Sequence, residues 1–591
     1  MSRVTHFLRC EHSLLPHKAI EKPICARNPG DADSASHANG VSCDDGAVMQ
    51  ALRNTPVVLV IRDGWGQNPH PEQAAYDATR IARTPVADRL RAEWPHTLIK
   101  TSGEDVGLPI CADGPVMGNS EVGHQNIGAG RIVDQEVMRI TRAIRDGRFF
   151  LNATLRDAFA RARAADAAVH IMGLLSDGLV HSDINHCFAV LDMAKREKFP
   201  STRVFVHAFT DGRDTPPMSG KKYVALLEEH IQRVGIGSIA SVIGRFYAMD
   251  RDHRWERVKA AFDCLTVAGG RAAKSAMEAV EFYYGRPTEP SRTGDEFIEP
   301  TQIAPATDPT FPERSRIRSG DTVIFFNYRG DRPRELTKAF VYDEITWRNI
   351  QGGGFDRGAR PLGLSFVTMA EYETALPVEV IFGRPELLQN ILGEVVSSAG
   401  LRQFRCAETE KYPHVTFFFN DYREAPFPGE QRELIPSPKE VSTYDQKPEM
   451  SAAGVRDAVL RRLAAPECEP LIVVNFANSD MVGHTGRLDA TVKACETVDA
   501  CVGTIVDATL ARGGSLIVFA DHGNCEQMWD PKSNCPHTAH TNYDVPLFVV
   551  GAAFRNSMLR ADGRLADIAP TALAMMGLPQ PEAMTGVSLL V

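Results

Sequence analysis

A doubly wound α/β fold is what this 591-residue sequence predicts, and two observations carry the expectation. From Pro56 onward, runs of four to six apolar, often β-branched residues stop abruptly at loops of Asp, Gly, His, Ser or Arg, as buried parallel strands do. Between them lie amphipathic stretches such as RDAVLRRLAA from Arg456, which supply crossover helices. PVVLVI leads to Arg62-Asp63-Gly64, VHIM from Val169 to LLSDGLVHS, VFVHAF from Val204 to TDGRD, and SVI from Ser241 to GRFYAMDRD. TVIFF then leads to NYRGDR, LIVVNF to ANSDMVGHTG, LIVF from Leu516 to ADHGN, and PLFVV closes the series near Val550. In such sheets ligands bind beyond the carboxyl ends of the strands, so these polar loops are the site candidates.

Other segments break the pattern. Tyr284 to Ser315 holds six prolines and reads as an irregular surface insertion, Gly352 to Gly354 as a loop, and the proline-rich run from Arg423 to Met450 as a lid or binding loop. No internal repeat or heptad is visible. The net charge of −10 gives nucleic acid no basic face, and no apolar run approaches the ~20 residues of a membrane span. The 12 cysteines are scattered without a CxxC pair, which fits reduced cytoplasmic thiols better than a disulfide framework or zinc ribbon. Residues 1–50 have no amphipathic period and no signal-peptide core, and their His and Cys spacings match no metal pattern. They are expected to be a dispensable, disordered leader, with Met49 as an alternative start.

The chemistry-bearing residues form three clusters. Asp480 and His484, four apart on one helical turn, face the same way and can share a cation. Asp521-His522-Gly523-Asn524 follows a buried strand, and His537 and His540 sit in PHTAHT. With Asp63, these carboxylates and imidazoles suit Mn, Zn, Co or Fe better than Ca, and are enough for two cations of the kind that stabilise attacking and leaving oxygens. Ser120 in MGNSEVGH supplies a nucleophile in a tight turn opening a helix; read alone, NSEVG would be a helix start capped by Ser120.

At this combination the chain resembles the cofactor-independent phosphoglycerate mutases, members of the alkaline-phosphatase-like superfamily of binuclear metalloenzymes. The resemblance runs from about Val57 to Leu590 through LVIRDGWG, MGNSEVGHQNIGAGR, MGLLSDGLVHS, AFTDGRDTPP, GRFYAMDRDHRWERV, FNYRGDR, AETEKYPHVTFFFN, NFANSDMVGHTG, FADHGNCEQM and PHTAHT in order. It implies one metal on Asp480, His484 and His540, and a second on Asp63, Ser120, Asp521 and His522, with His537 structural. It further implies that His181, Arg213, Asp214, Arg245 and Arg251 hold the glycerate end of the substrate, while Arg329, Arg332 and Lys411 lie nearer the transferred phosphoryl group. Arg62 stands where an apolar residue is usual, Leu179 where glycine is common and Gly330 where proline is common.

The implied fold is an alkaline-phosphatase-like doubly wound sheet, residues 51–134 and 386–591, with a second α/β substrate-binding transferase domain, residues 135–385, inserted between two hinges. The implied activity is interconversion of 3-phosphoglycerate and 2-phosphoglycerate in glycolysis and gluconeogenesis, through a phosphoserine on Ser120. Two Mn2+ are expected, with Mg2+, Co2+ or Zn2+ as alternatives, and no 2,3-bisphosphoglycerate. The enzyme is expected to be a cytoplasmic monomer acting on a small molecule, without nucleic acid or membrane. Rival readings are a metal-dependent phosphatase or other phosphomutase, which the arginine set disfavours, and a non-catalytic metabolite-binding relative, which the filled ligand positions disfavour.

Overall fold

The eight apolar runs divide four and four between two eight-stranded sheets. The computed structural model describes residues 55–111 and 114–591; the expectation for residues 1–50 lies outside the described residues. The first sheet has the order Glu430–Ile435, Gln403–Glu408, Leu471–Phe476, Val57–Arg62, Ser515–Phe519, Val545–Val550, His96–Lys100, Gly563–Arg564. Val57–Arg62 lies in its middle, parallel to both neighbours, with Leu59 opposite Val473 on one side and Ile517 on the other. All six of its residues are buried; at about 2 kcal/mol for each apolar side chain, burying Val57 to Ile61 contributes on the order of 10 kcal/mol before conformational entropy is counted.

The second sheet runs Glu379–Phe382, Ser365–Ala370, Thr322–Phe325, Val169–Leu174, Val204–Thr210, Ser238–Gly244, Thr301–Ile303, Arg271–Ala273. Val169–Leu174 and Val204–Thr210 are parallel and buried along their whole length. Their faces are covered by helices such as Ile184–Arg196 and Gly220–Val234, whose buried residues recur at helical spacing.

Three expectations are corrected. PLFVV forms Val545–Val550 but runs antiparallel to both Ser515–Phe519 and His96–Lys100, since a fully buried strand reads the same in either direction. The stretch from Arg423 is not all lid: Glu430–Ile435 pairs in parallel with Gln403–Glu408 as the edge of the first sheet, and its charged alternation is what an edge strand needs. Within the proline-rich 284–315 segment, Thr301–Ile303 is a buried strand between Arg271–Ala273 and Ser238–Gly244.

Candidate active site

Several catalytic candidates stand just beyond the carboxyl end of a strand of the first sheet. Asp63 follows Val57–Arg62, and Gly64 turns the chain there with φ of 72°. A Cβ on Gly64 would lie 2.8 Å from the Asp480 Cα, so only glycine lets the turn approach the Asn478–Gly483 helix this closely. Asp521 and His522 follow Ser515–Phe519, and Lys411 follows Gln403–Glu408.

Ser120 opens the buried helix Ser120–Ala129, but it does not cap it. The Asn119 side chain accepts the Val122 N–H at 3.0 Å, which corrects the reading of Ser120 as the cap and frees its hydroxyl. Ser120 Oγ lies 2.9 Å from His522 Nε2 and 3.4 Å from Asp63 Oδ1. The Lys411 ammonium donates to Ser120 Oγ at 2.6 Å, Asp63 Oδ1 at 2.7 Å and Asp480 Oδ2 at 2.6 Å.

Two groups of side chains present converging ligand atoms, Asp480 with His484 and His540, and Asp63 with Asp521 and His522. In the first, His484 Nδ1 is 2.7 Å from the Thr538 carbonyl and His540 Nδ1 is 2.9 Å from the Gly118 carbonyl. Both Nδ1 atoms are thus set to donate, which turns two Nε2 lone pairs toward each other at 3.1 Å, each 3.2 Å from Asp480 Oδ1. Such an arrangement of acceptors is complementary to a cation. In the second group, Asp521 Oδ2 is buried and makes no well-aligned hydrogen bond among the described residues, with only the His124 and His522 ring nitrogens near it at 3.3 and 3.5 Å, as suits a carboxylate meant for a metal. The residues present therefore fit metal ions at both groups.

The electrostatics follow from burial and crowding. Asp63 is raised to about 7, first by burial and then by the neighbouring Asp521 carboxylate. Burial would raise Asp480 too, but the Lys411 ammonium outweighs it and holds Asp480 well below the carboxylate range. Lys411 is driven up in turn: Asp480 and Asp63 outweigh its desolvation. His522 is lowered to about 4 by burial, so it is a neutral donor atom at pH 7.

The second sheet collects the remaining candidates at its own carboxyl edge. Arg245 Nη1 donates to Asp211 Oδ1 at 2.7 Å and Asp214 Oδ2 at 2.6 Å. Asp331 Oδ2 accepts Arg251 Nη1 at 3.0 Å, while Arg329 Nε and His181 Nδ1 lie 3.2 and 3.5 Å from Asp331 Oδ1. Arg213 lies 3.5 Å from Glu296, and Arg332 donates to the Met249 carbonyl at 3.3 Å. Burial, then the charges of Arg245, Arg251 and Arg213, lower Arg332; so many guanidinium groups around a few carboxylates leave positive charge for an anionic ligand. Lys411 stands in the carboxylate site, whereas Arg329 and Arg332 stand with the other arginines. His537 joins neither metal-capable group.

Residues that sequence reasoning passed over complete the site. His124 Nδ1 is 2.8 Å from the Ser120 carbonyl and 3.3 Å from Asp521 Oδ2, and Asn475 donates to Asp63 Oδ2 at 2.7 Å. Asp211 and Asp331 hold the arginines in place. His124, Asp211 and Asp331 lay in quoted motifs; an asparagine inside the apolar run LIVVNF was the available signal for Asn475. The unusual residues also find places. Leu179 adopts φ of 56°, the left-handed region that favours glycine. Gly330 packs on Tyr372 with no room for a Cβ, which would lie 2.5 Å from the Tyr372 Cα. Arg62 is buried between Trp65 and Phe548, lowered to about 10 by burial, with Nε and Nη2 unpartnered.

Fold and donor set together define a class: an α/β enzyme of metal-dependent phosphoryl transfer with an anion-binding arginine cluster. A family model described as the BPG-independent PGAM N-terminus matches residues 140–374. The Rhodopirellula baltica 2,3-bisphosphoglycerate-independent phosphoglycerate mutase is 58% identical over 538 residues, covering 91% of this chain and 97% of that protein. The enzyme of the same name from Desulforudis audaxviator is 51% identical over 91% of this chain and 99% of its own length. A crystal structure of Leishmania mexicana phosphoglycerate mutase at low cobalt concentration is 32% identical, with a TM-score of 0.57 over 91% of this chain and 98% of that one. The chain belongs to the 2,3-bisphosphoglycerate-independent phosphoglycerate mutase family.

Proposed function

We infer that this chain interconverts 3-phosphoglycerate and 2-phosphoglycerate by carrying the phosphoryl group on Ser120. The observation that carries the reading is the position of Ser120 Oγ, uncapped, at a helix N-terminus and within 3.4 Å of Lys411, His522 and Asp63. A hydroxyl so placed is a nucleophile whose surroundings stabilise negative charge on oxygen. In the first half-reaction the Ser120 Oγ–phosphorus bond forms and the bond from phosphorus to the glycerate oxygen breaks, the serine proton ending on glycerate. In the second the neighbouring glycerate hydroxyl takes the phosphoryl group back and Ser120 regains a proton. Lys411, the cation touching Ser120, offsets charge on the transferred group.

Asp480, His484 and His540 would hold one metal ion, and Asp63, Asp521, His522 and Ser120 a second, with Mn2+ favoured. When bound, such ions supply Lewis-acid polarisation of the phosphoryl oxygens and favour the ionised serine. Glycerate, released from phosphorus but retained, would be held by His181, Arg213, Asp214, Arg245 and Arg251, with Arg329 and Arg332 closer to the phosphoryl end. The two sheets support a division into a metal-binding domain, 51–134 and 386–591, and an inserted substrate domain, 135–385; closing one on the other would exclude the water that turns a mutase into a phosphatase. No helix among the described residues is long and apolar enough to cross a membrane; we propose a cytoplasmic monomer.

The test is a coupled assay for 2-phosphoglycerate. Activity should vanish on chelation, return with Mn2+, and be indifferent to 2,3-bisphosphoglycerate. Full turnover after exhaustive chelation would refute the metal site, and strict dependence on the bisphosphate would refute the serine carrier.

A further inference from the structure

Beneath the arginine cluster lies a pair of buried carboxyl groups that phosphoryl transfer does not use. Glu335, in the first turn of the helix Pro333–Val341, is 2% exposed, and Asp250, in the turn before helix Trp255–Thr266, is 4% exposed. The Asp250 carboxylate is fully employed: Oδ2 accepts the N–H groups of Asp252 and Arg254 at 2.9 Å each, and Oδ1 lies 3.2 Å from Arg257 Nη1. Glu335 Oε1 accepts the His253 N–H at 3.2 Å, with His253 Nδ1 3.3 Å away. Among the described residues Glu335 Oε2 finds no donor at all, and the nearby Asp250 charge acts on its carboxyl. A buried carboxyl oxygen with no donor, beside a second carboxylate that already accepts three, favours the protonated form, so the proton belongs on Glu335.

What the pair holds is specific. His253 adopts φ of 58°, a left-handed conformation that a histidine keeps only when its surroundings enforce it, and its N–H is the one bonded to Glu335. The turn so fixed, 250–254, carries Arg251; its preceding carbonyl, Met249, receives Arg332, three residues before Glu335. One buried carboxyl thus ties together the two segments that present Arg251 and Arg332.

We propose that Glu335, protonated against Asp250, is a positioning residue for Arg251 and Arg332, and that loss of its proton loosens the 250–254 turn and weakens substrate binding. The inference rests on the reading that these arginines bind substrate. Burial foremost, with the Asp250 charge added, raises Glu335 to about 7, so the proton leaves within the working range of a glycolytic enzyme. The charged and titratable groups facing it are Asp250 and His253 from the turn, Arg257 beyond Asp250, and Arg334 on its own helix.

The experiment is KM and kcat for 3-phosphoglycerate with saturating Mn2+, from pH 6.5 to 8.5, in the full-length enzyme. In the wild type KM should rise severalfold across that range while kcat changes less than twofold. Glu335→Gln, which keeps a donor toward Asp250 at every pH, should hold KM within twofold throughout, and Glu335→Ala should raise KM about tenfold even at pH 6.5. Asp250→Asn provides a second route, because the amide can donate to ionised Glu335, and should flatten the KM curve too. His253→Asn, which removes the other titratable group and tolerates the left-handed turn, should leave the wild-type curve in place. A Glu335→Gln curve that follows the wild type, or a flat wild-type curve, overturns the inference. If Arg251→Ala leaves KM unchanged, the substrate-binding reading itself fails; if it raises KM while Glu335→Gln follows the wild type, only the role of Glu335 falls.

Discussion

The Lys411 ammonium stands 2.6 Å from the Ser120 hydroxyl and equally close to Asp480, with all three side chains buried. One cation therefore serves the nucleophile and both metal-capable groups, since it also touches Asp63. Replacing Lys411 by Met leaves those carboxylates without their common partner, and removing one member of a buried ion pair costs about 3–5 kcal/mol. Metal-free Lys411→Met should melt well below the wild type, and Mn2+ should raise its melting temperature by more than it raises that of the wild type. Equal shifts in the two proteins would mean that Lys411 and the metal ions do not neutralise the same charges.

Ser120→Ala removes one hydroxyl and no cap, because Asn119 caps the helix. The variant should fold with an unchanged circular dichroism spectrum yet lose isomerase activity to below about a hundredth of the wild type, a loss of more than ~2.7 kcal/mol in transition-state stabilisation. Intact-mass spectrometry should find a phosphoryl adduct on quenched wild type and none on the variant. Residual isomerisation above that level would contradict a covalent carrier.

Arg251→Ala should shift the balance from mutase toward phosphatase. Among the described residues its guanidinium is paired with Asp331 alone and remains half exposed, free to clamp an anion. Losing one charge-assisted clamp weakens retention of glycerate by about tenfold or more, and water then reaches the phosphoserine. The ratio of free phosphate to 2-phosphoglycerate should rise in the variant. A constant ratio with lower turnover would give Arg251 another role.

The eight strands with uninterrupted apolar runs were legible in the sequence because a strand buried on both faces has no alternation to misread. Strands that carry charge were not: Glu430–Ile435 has four polar residues against two apolar, Gln403–Glu408 three against three, and only their pairing reveals them as the outer strands of that side of the sheet. The direction of Val545–Val550 was invisible for the complementary reason, that burial is symmetric. Asp480, His484, Asp521 and His522 could be read from spacing, and the structure brings them together as ligand groups. Asp331 and Glu335 could not, since a carboxylate that orients an arginine or shares a proton looks, in one dimension, like any charged residue in a loop or on a helix.

His186, fully buried and 3.1 Å from Thr141 Oγ1, is lowered to about 4 by desolvation. A histidine whose folded pKa lies below its unfolded value of ~6.5 binds fewer protons when folded, so its contribution to stability is complete above pH 6.5 and is lost as pH falls toward 4. That loss is about 2 kcal/mol at pH 5. His186→Gln should therefore lower stability at pH 7 but flatten its dependence between pH 7 and 5, as urea unfolding at several pH values would record. Parallel curves for wild type and variant would contradict a neutral buried imidazole.

Phosphorus NMR of 3-phosphoglycerate incubated with the enzyme and Mn2+, with no bisphosphate added, tests the serine-borne exchange most directly. The expected spectrum gains the 2-phosphoglycerate resonance until the two isomers reach equilibrium, with little inorganic phosphate. A spectrum that gains inorganic phosphate alone, or does not change, would contradict it.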